Sequence, residues 1–307
     1  MSPLNRRLAI TGGLATTVAA ATAGLAFAKA GQTDPVRLSA VKPGTPRRII
    51  SLNPCLDVIL IHVADLSQIA ALSHYARDSY SSTFAPLART LPFTYETAEE
   101  VLALSPDLVM TGRHSSLATR NALDRLKIPT ALFGVPETIA ESLEQVREVA
   151  TLVGHPERGE ALIRQIETAL AEAAPKPGTP PLSALVFMPG GFASGPGTLM
   201  DEMMRRMGLE NAATKYGLKR SMNVPLELVI ADPPDLLMSG EPYPGAPSWA
   251  VRVMTHPALS HVAGRMERAT FPERLLFCGG PVLIQTAAAL SRAREHALSN
   301  RKSANRA

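Results

Sequence analysis

Two similar segments each place a glutamate at the start of a predicted helix. The first runs from Glu99 to Met110 and the second from Glu227 to Met238. In each, a short apolar stretch predicts a helix, a Pro-Asp pair follows it, and a second apolar run predicts a buried strand. Common helix–strand turns can look alike by chance. The alternative is two equivalent lobes, each of which shows a glutamate at the start of one helix.

The chain has two cysteines, Cys55 and Cys278, and each follows a predicted strand in a different half of the sequence. An oxidising compartment would permit a disulfide between them. A bridge between two lobes would hinder their opening unless it lay near the hinge. The sequence therefore leaves three states open, which are free thiols, a disulfide and metal ligation by thiolate.

Seven histidines are scattered along the chain, and only His74 and His114 follow predicted strands. An ordinary surface position explains both, and two are too few for a three-histidine metal site. The sequence therefore identifies no metal site.

The motifs of several common enzyme classes are missing from the sequence. There is no Gly-x-Ser-x-Gly nucleophile elbow, no His-Glu-x-x-His zinc motif and no Cys-x-x-Cys redox pair. The glycine-rich run at 190–197 lacks the Lys-Ser/Thr ending of a phosphate-binding loop. We therefore expect a binding protein rather than an enzyme, with a secreted hydrolase as the less favoured alternative.

Predicted strands alternate with predicted helices on both sides of a helical middle section, which is typical of parallel α/β sheets. In the middle, a helix over 139–153 is followed by a longer one over about 156–174, with Leu162, Ile166 and Leu170 on one stripe. The predicted strands cover residues 47–52, 69–73, 107–111, 128–133, 182–188, 235–239 and 274–277. The predicted helices outside the middle cover residues 55–64, 97–104, 116–126, 199–207, 224–230 and 282–298.

This order of elements predicts an α/β fold of two Rossmann-like lobes with parallel sheets, joined by one long backbone helix, with a ligand cleft between the lobes. The N-terminal lobe is expected over 47–137, the connecting helices over 138–181 and the C-terminal lobe over 182–298. The polar flanks at 31–46 and 299–307 are expected to form a flexible lead-in and a disordered tail.

The distribution of charge argues against nucleic-acid binding. Of the formal net charge of +4, the first 30 residues contribute +3 and the tail from Arg292 contributes +4, so the body of the chain carries −3. A nucleic-acid-binding domain needs a concentrated basic face, and none is visible in the body. The hydrophobic content of 46% is that of an ordinary folded protein.

The first 30 residues have the three parts of a secretory signal peptide. Arg6 and Arg7 form a charged start, residues 8–27 are uncharged and weakly apolar, and the Ala-Lys-Ala of 28–30 is a cleavage site. A membrane anchor is the alternative. No cysteine near this site could carry a lipid, and no later apolar stretch of about 20 residues could span a membrane. We expect a soluble periplasmic protein, exported by the Sec or the twin-arginine route.

Three segments carry a resemblance to a known family: RIISLNPCLDVIL at 48–60, EEVLALSPDLVMTGR at 99–113 and LELVIADPPDLLMSG at 226–240. With the long central helix, they resemble the class III periplasmic binding proteins of ABC importers over about residues 47–295. That family serves cobalamin, ferric siderophores and heme. The resemblance implies a monomer whose partners are the permease transmembrane subunits with their ATPase. It also implies that Glu99 and Glu227 dock onto permease arginines, as paired carboxylates on two lobe tops can do.

Ligands of α/β lobes bind beyond the carboxyl ends of the strands, which here carry polar, aromatic and glycine residues. Tyr95, just before the first docking helix, is added to this set. The candidate cleft residues are Asn53, Cys55, His74, Tyr75, Tyr95, Arg113, His114, Gly191, Phe192, Glu241, Tyr243, Cys278 and Gly279.

The resemblance implies a metal-chelate ligand, a corrinoid or an iron chelate, rather than a resident cofactor. It also allows one histidine to ligate a heme iron or a corrin cobalt. An aromatic content of 5% is low for a site that encloses cobalamin, so a siderophore remains an alternative ligand. A quinone, a lipid or another bulky cofactor on the same scaffold is the alternative ligand.

Overall fold

Each half of the chain builds one six-stranded sheet in the computed structural model, which describes residues 37–39, 45–240, 256–262 and 264–304. The predicted signal peptide and most of the lead-in fall outside these residues. Within the described ranges, no helix combines the length and the apolar character needed to cross a bilayer.

The sheet of the first lobe has the strand order β1-β6-β5-β2-β3-β4. All neighbours in it are parallel except β1, which runs antiparallel to β6. The strands are β1 (Arg37–Ser39), β2 (Ile49–Ser51), β3 (Ile69–Ser73), β4 (Phe93–Thr94), β5 (Leu108–Gly112) and β6 (Thr130–Phe133). The helices of this lobe are α1 (Pro54–Val63), α2 (Ala85–Ala88), α3 (Ala98–Ala103) and α4 (Leu117–Arg125).

The sheet of the second lobe has the order β10-β8-β7-β11-β12, with β9 paired to β7. Here β8 runs antiparallel to both of its neighbours, and the other pairs are parallel. The strands are β7 (Leu182–Phe187), β8 (Phe192–Ala193), β9 (Leu209–Asn211), β10 (Met222–Asn223), β11 (Leu236–Ser239) and β12 (Glu267–Thr270). The helices of this lobe are α7 (Leu199–Arg206), α8 (Leu226–Ala231), α9 (Ala258–His261) and α10 (Val282–Ala304).

Two predictions about strands are corrected by this topology. Both sheets are mixed rather than purely parallel. The predicted strand over 274–277 is wrong, because Glu273–Leu275 is a 3₁₀ turn and the last strand is β12. Leu275 and Leu276, the apolar residues that suggested a strand, lie at the end of this turn, and their side chains are buried. The true edge strand is polar and half-exposed, so its sequence lacks an apolar pattern.

In both lobes, the aspartate of the Pro-Asp segment accepts hydrogen bonds from the backbone at the neighbouring strand. The Asp107 carboxylate, just before β5, accepts hydrogen bonds from the backbone N–H groups of Arg47 (2.7 Å) and Arg48 (2.9 Å), just before the neighbouring β2. The Asp235 carboxylate, just before β11, accepts one from the N–H of Ser183 (2.8 Å) in the neighbouring β7. Chance similarity does not explain this shared role, so the segments are equivalent parts of two lobes.

The connecting section consists of α5 (Ile139–Leu152) and α6 (Pro156–Ala173). α6 packs against α5, against α1 of the first lobe and against α10 of the second. Its predicted stripe of Leu162, Ile166 and Leu170 is buried. At Gly159 a Cβ atom would lie 2.5 Å from the Cβ of Ala150, so the close crossing of α5 and α6 requires glycine. One continuous apolar cluster includes residues of both lobes and of these helices.

The last helix is longer than predicted. Residues 299–304, expected as part of a disordered tail, continue α10 as far as Ala304. Asn300 donates a hydrogen bond to Glu267 at 2.9 Å, and Arg301 pairs with Asp235. These contacts hold the final turns against the second sheet, and residues 305–307 lie outside the described part of the chain.

Candidate functional site

A disulfide between Cys55 and Cys278 lies where the two lobes meet. Cys55 is the second residue of α1, and Cys278 lies in the short segment between the 3₁₀ turn and α10. Their Cα atoms are 5.0 Å apart, within the range of bridged cysteines. Of the three states that the sequence left open, the structure has the bridge.

The bridge is part of a cavity of about 200 Å³ that both lobes line. Tyr75 reaches it from the first lobe, and Arg274 and Phe277 reach it from the second. The complete lining is Pro54, Cys55, Tyr75, Ser81, Glu273, Arg274, Phe277 and Cys278.

A second cavity of about 40 Å³ lies beside the first and shares Cys55 and Phe277 with it. Five predicted cleft residues line it, namely Asn53, Cys55, Arg113, His114 and Gly279. The Asn53 side chain mainly caps α1, because its Oδ1 accepts hydrogen bonds from the N–H groups of Cys55 (2.9 Å) and Leu56 (3.2 Å). The carboxyl ends of β2 and β5 thus meet at this point, as the sequence predicts.

Aromatic side chains lie on both sides of the cleft. On the first lobe, the ring of His74 lies 3.9 Å from that of Tyr75 and 5.2 Å from that of Tyr95, measured between centroids. On the second lobe, the rings of Phe192 and Phe277 are 6.2 Å apart. Tyr75 is 46% exposed and Phe277 is 59% exposed, so both rings offer accessible surface at the cavity that they line.

His74 faces a carboxylate rather than the cavity. Its Nδ1 lies 3.8 Å from Oε1 of Glu96, and both atoms are buried without a hydrogen-bond partner among the described residues. Burial raises the pKa of the Glu96 carboxyl. In the described part of the chain, no group of three or more His, Cys, Asp or Glu side chains could hold a metal ion. His74 therefore packs against the rings of Tyr75 and Tyr95 with its Nδ1 directed at Glu96.

Asp57 is a buried residue close to His74 and Tyr75 that the sequence analysis did not identify. Its carboxylate is fully buried and accepts hydrogen bonds from the backbone N–H (3.2 Å) and the hydroxyl of Ser73, the last residue of β3. Burial raises the pKa of Asp57 to about 8, although hydrogen bonds from Ser51 and Ser73 oppose this shift. Through its bonds to Ser73, Asp57 joins α1 to the end of β3, directly before His74 and Tyr75.

Several predicted cleft residues do not line either cavity. His74 and Phe192 contact the cavity residues Tyr75 and Phe277 through their rings, whereas Tyr95 contacts only the ring of His74 among these residues. Gly191 has a turn role instead, with φ of +81° and no room for a Cβ atom next to the carbonyl oxygen of Val224. Glu241 and Tyr243 lie outside the described residues.

Two cavity residues on the second lobe, Arg274 and Phe277, were missed because the sequence predicts them as the first and last residues of a strand. Arg274 also lines a separate groove of about 520 Å³ between β12 and α10. Arg268, Arg292 and His296 line the same groove, so the second lobe has a basic depression next to the cleft.

The two predicted docking glutamates have matching positions. Glu99 is the second residue of α3 and Glu227 is the second residue of α8, and both side chains are exposed. Neither forms an ion pair with another described residue. Carboxylates in the first turn of a helix are also favoured by its dipole.

A family model described as periplasmic binding protein matches residues 49–264, which is well over half of the chain. The chain belongs to the periplasmic binding protein family. Its two lobes, its connecting helices and its long last helix correspond to the class III form of that fold.

Solved structures of this family superpose on nearly their whole length. The periplasmic heme-binding protein RhuT from Roseiflexus sp. RS-1 is 26% identical, with a TM-score of 0.66, over 83% of this chain and 99% of RhuT. The heme-binding protein BhuT, solved with two hemes, is 19% identical, with a TM-score of 0.66, over 83% of this chain and 100% of BhuT. The vitamin B12-binding protein BtuF of Vibrio cholerae is 16% identical, with a TM-score of 0.63, over 82% of this chain and 98% of BtuF. Comparison with curated proteins gives no significant match.

Proposed function

We propose that this member of the periplasmic binding protein family is the substrate-binding protein of an ABC importer and that its ligand is a flat metal chelate of the heme type. The protein captures the chelate between its lobes in the periplasm and delivers it to the membrane permease. It performs no chemical turnover. The observation that carries the proposal is the exposed phenol of Tyr75 at the cavity that both lobes line.

The chemistry of this position suits an iron porphyrin. A tyrosine oxygen is one of the axial ligands that proteins offer to heme iron. Phe277 lies across the same cavity, and aromatic faces pack well against a planar conjugated ring. The likeness to RhuT, whose name describes it as heme-binding, supports the same ligand class.

The size of the cavities indicates how such a ligand would lie. At about 200 and 40 Å³ they are smaller than the roughly 300–1,000 Å³ of typical small-molecule sites. A porphyrin would therefore enter the cavity with one edge and project from the open cleft. The basic groove at Arg274 is well placed to attract a ligand that carries carboxylates.

Titration of the purified protein with hemin, followed by visible absorption, tests this proposal. We expect Tyr75→Phe to lose the tyrosinate-to-iron charge-transfer band and to weaken hemin binding about tenfold or more. Tyr95→Phe is the matched control, since it removes a phenol of the same aromatic cluster that does not line the cavity. Equal spectra and affinities for the wild type and Tyr75→Phe would refute Tyr75 as the iron ligand.

The same titration with cyanocobalamin and with a ferric siderophore separates the other ligands of this family. Binding of a corrinoid or a siderophore in preference to hemin would keep the transport function and replace the ligand. Failure of all three would favour a quinone or lipid ligand, and substrate turnover would favour a hydrolase.

The proposed partners are the transmembrane subunits of an ABC permease with their ATPase. Glu99 and Glu227 are the proposed docking groups, since each lobe presents one of them at an exposed helix start. Export by a signal peptide cleaved after Ala30 would place the protein in the periplasm, where its disulfide can form and persist.

A further inference from the structure

The segment 278–280, which contains Cys278, packs between α1 of the first lobe and α5 of the connecting section. The N–H of Gly280 donates a hydrogen bond to Oγ of Ser142 in α5 at 2.7 Å. A Cβ atom on Gly279 would lie 2.2 Å from the same Oγ, and one on Gly280 would lie 2.9 Å from Ile59 in α1. Only glycines fit at these two positions, because the backbone itself packs against the helices between the lobes.

Phe277 precedes this segment and has little packing of its own. Its side chain is 59% exposed and lines both cavities, and Phe192 is its aromatic neighbour, with ring centroids 6.2 Å apart. Among the described residues, no hydrophobic cluster of buried side chains includes it. The covalent bond of the next residue, Cys278, to Cys55 therefore fixes the backbone from which this ring projects.

We infer that the Cys55–Cys278 disulfide is a positioning element of the ligand site, which holds Phe277 in the cleft wall and thereby raises ligand affinity. This inference rests on the proposed function, because Phe277 must contact the captured chelate. A backbone that is already fixed next to the ring loses less conformational entropy when the ligand arrives. We expect the continuous apolar cluster to keep the lobes folded together when the bridge is absent.

A double-mutant cycle distinguishes positioning from general stabilisation. Its three variants are Cys55→Ser with Cys278→Ser, Phe277→Ala, and the combination of all three substitutions. We expect the serine pair and Phe277→Ala each to weaken hemin binding roughly three- to tenfold, the range expected for one immobilised side chain. The triple variant should bind no more weakly than Phe277→Ala alone, since the bridge acts through that ring.

The control is Leu126→Ala, which removes a comparably exposed apolar side chain at the end of α4, outside both cavities. It should leave hemin affinity unchanged. Full affinity in the serine pair, or effects of the serine pair and Phe277→Ala that multiply in the triple variant, would overturn the inference.

Hydrogen exchange without ligand makes the inference independent of the ligand's identity. In the serine pair we expect faster exchange of the amides of residues 277–280 and unchanged protection in the middle of α10. Unchanged exchange at 277–280 would also overturn the inference. Failure of the wild-type protein to bind hemin, with faster exchange in the serine pair, would refute the proposed heme ligand while leaving the positioning role of the bridge supported.

Discussion

Among single residues, the buried carboxyl of Asp57 makes the stability of the folded protein depend on pH. Its pKa is raised to about 8 by burial, whereas an unfolded aspartate titrates near 3.9. The folded state therefore binds this proton more tightly than the unfolded state does. The stability that this protonation contributes is fully present below about pH 4 and is lost as the pH rises towards 8.

Asp57→Asn tests this sign directly, because the amide keeps an oxygen that can accept the hydrogen bonds from Ser73. We expect the variant to be more stable than the wild type at pH 8–9 by roughly 1 kcal/mol or more, and the difference to vanish near pH 4. Chemical denaturation at a series of pH values measures both curves. A difference that is constant across this range would contradict protonation of Asp57 in the folded state.

Single residues also show which positions on the cavities the sequence can point to. Asn53, Tyr75 and Arg113 were predicted because each follows an apolar strand, and the structure places all three on the cavities. Pairing of Cys55 with Cys278 could not be chosen from the sequence, since a disulfide requires a particular Cα separation that only the fold supplies. Glu96 gave no signal, because its burial beside His74 depends on a strand end 22 residues earlier in the chain.

At the scale of elements, the repeated helix–Pro-Asp–strand unit separates structure from partner binding. Its aspartate tethers neighbouring strands, as Asp107 and Asp235 show. Its glutamate, in contrast, makes no ion pair with a described residue. This division of labour predicts that the aspartates matter for stability and the glutamates for delivery to the permease.

We expect Glu99→Ala with Glu227→Ala to leave hemin affinity unchanged and to abolish ligand uptake by cells. The matched control is Glu172→Ala with Glu210→Ala, which removes the same charge from two exposed glutamates elsewhere. Calorimetric affinity and cellular uptake are measured for both variants. Weakened hemin binding with normal uptake in the first variant would reverse the assigned roles.

Elements were predicted well where their sequence has a strong apolar period. The boundaries of α6 agree to one residue, because its buried stripe is flanked by Pro156 and by the break at Ala174. β12 was missed and residues 274–277 were assigned in its place, because an edge strand needs little burial while a turn can bury leucines against a helix. Burial, not strand formation, produced the apolar pattern there.

At the scale of the whole molecule, three features tie the lobes together. α6 packs against helices of both lobes, one apolar cluster continues through them, and the Cys55–Cys278 bridge joins them at the cleft. Bending such a connection would break backbone hydrogen bonds and packed contacts together. The cleft is therefore expected to be largely formed before the ligand arrives, unlike clefts that close by large hinge rotations.

Small-angle scattering with and without saturating hemin tests this rigidity. We expect the radius of gyration to change by about 1 Å or less, in line with preorganised complexes. The bridge-free serine pair should show whether the helix connection alone is sufficient. A marked contraction of the wild-type protein on binding would contradict the rigid connection.

Native mass spectrometry of the protein purified from the periplasm of its host tests directly whether the bound ligand is an iron porphyrin, because the host selects the ligand. We expect a soluble chain that begins at Gly31, contains the intact disulfide and carries one or more coloured iron porphyrins. Prolonged dialysis against apomyoglobin, which takes up heme, should remove the bound mass. A chain that carries no metal chelate under iron-limited growth, or one that carries a lipid or quinone instead, would contradict a heme-type ligand.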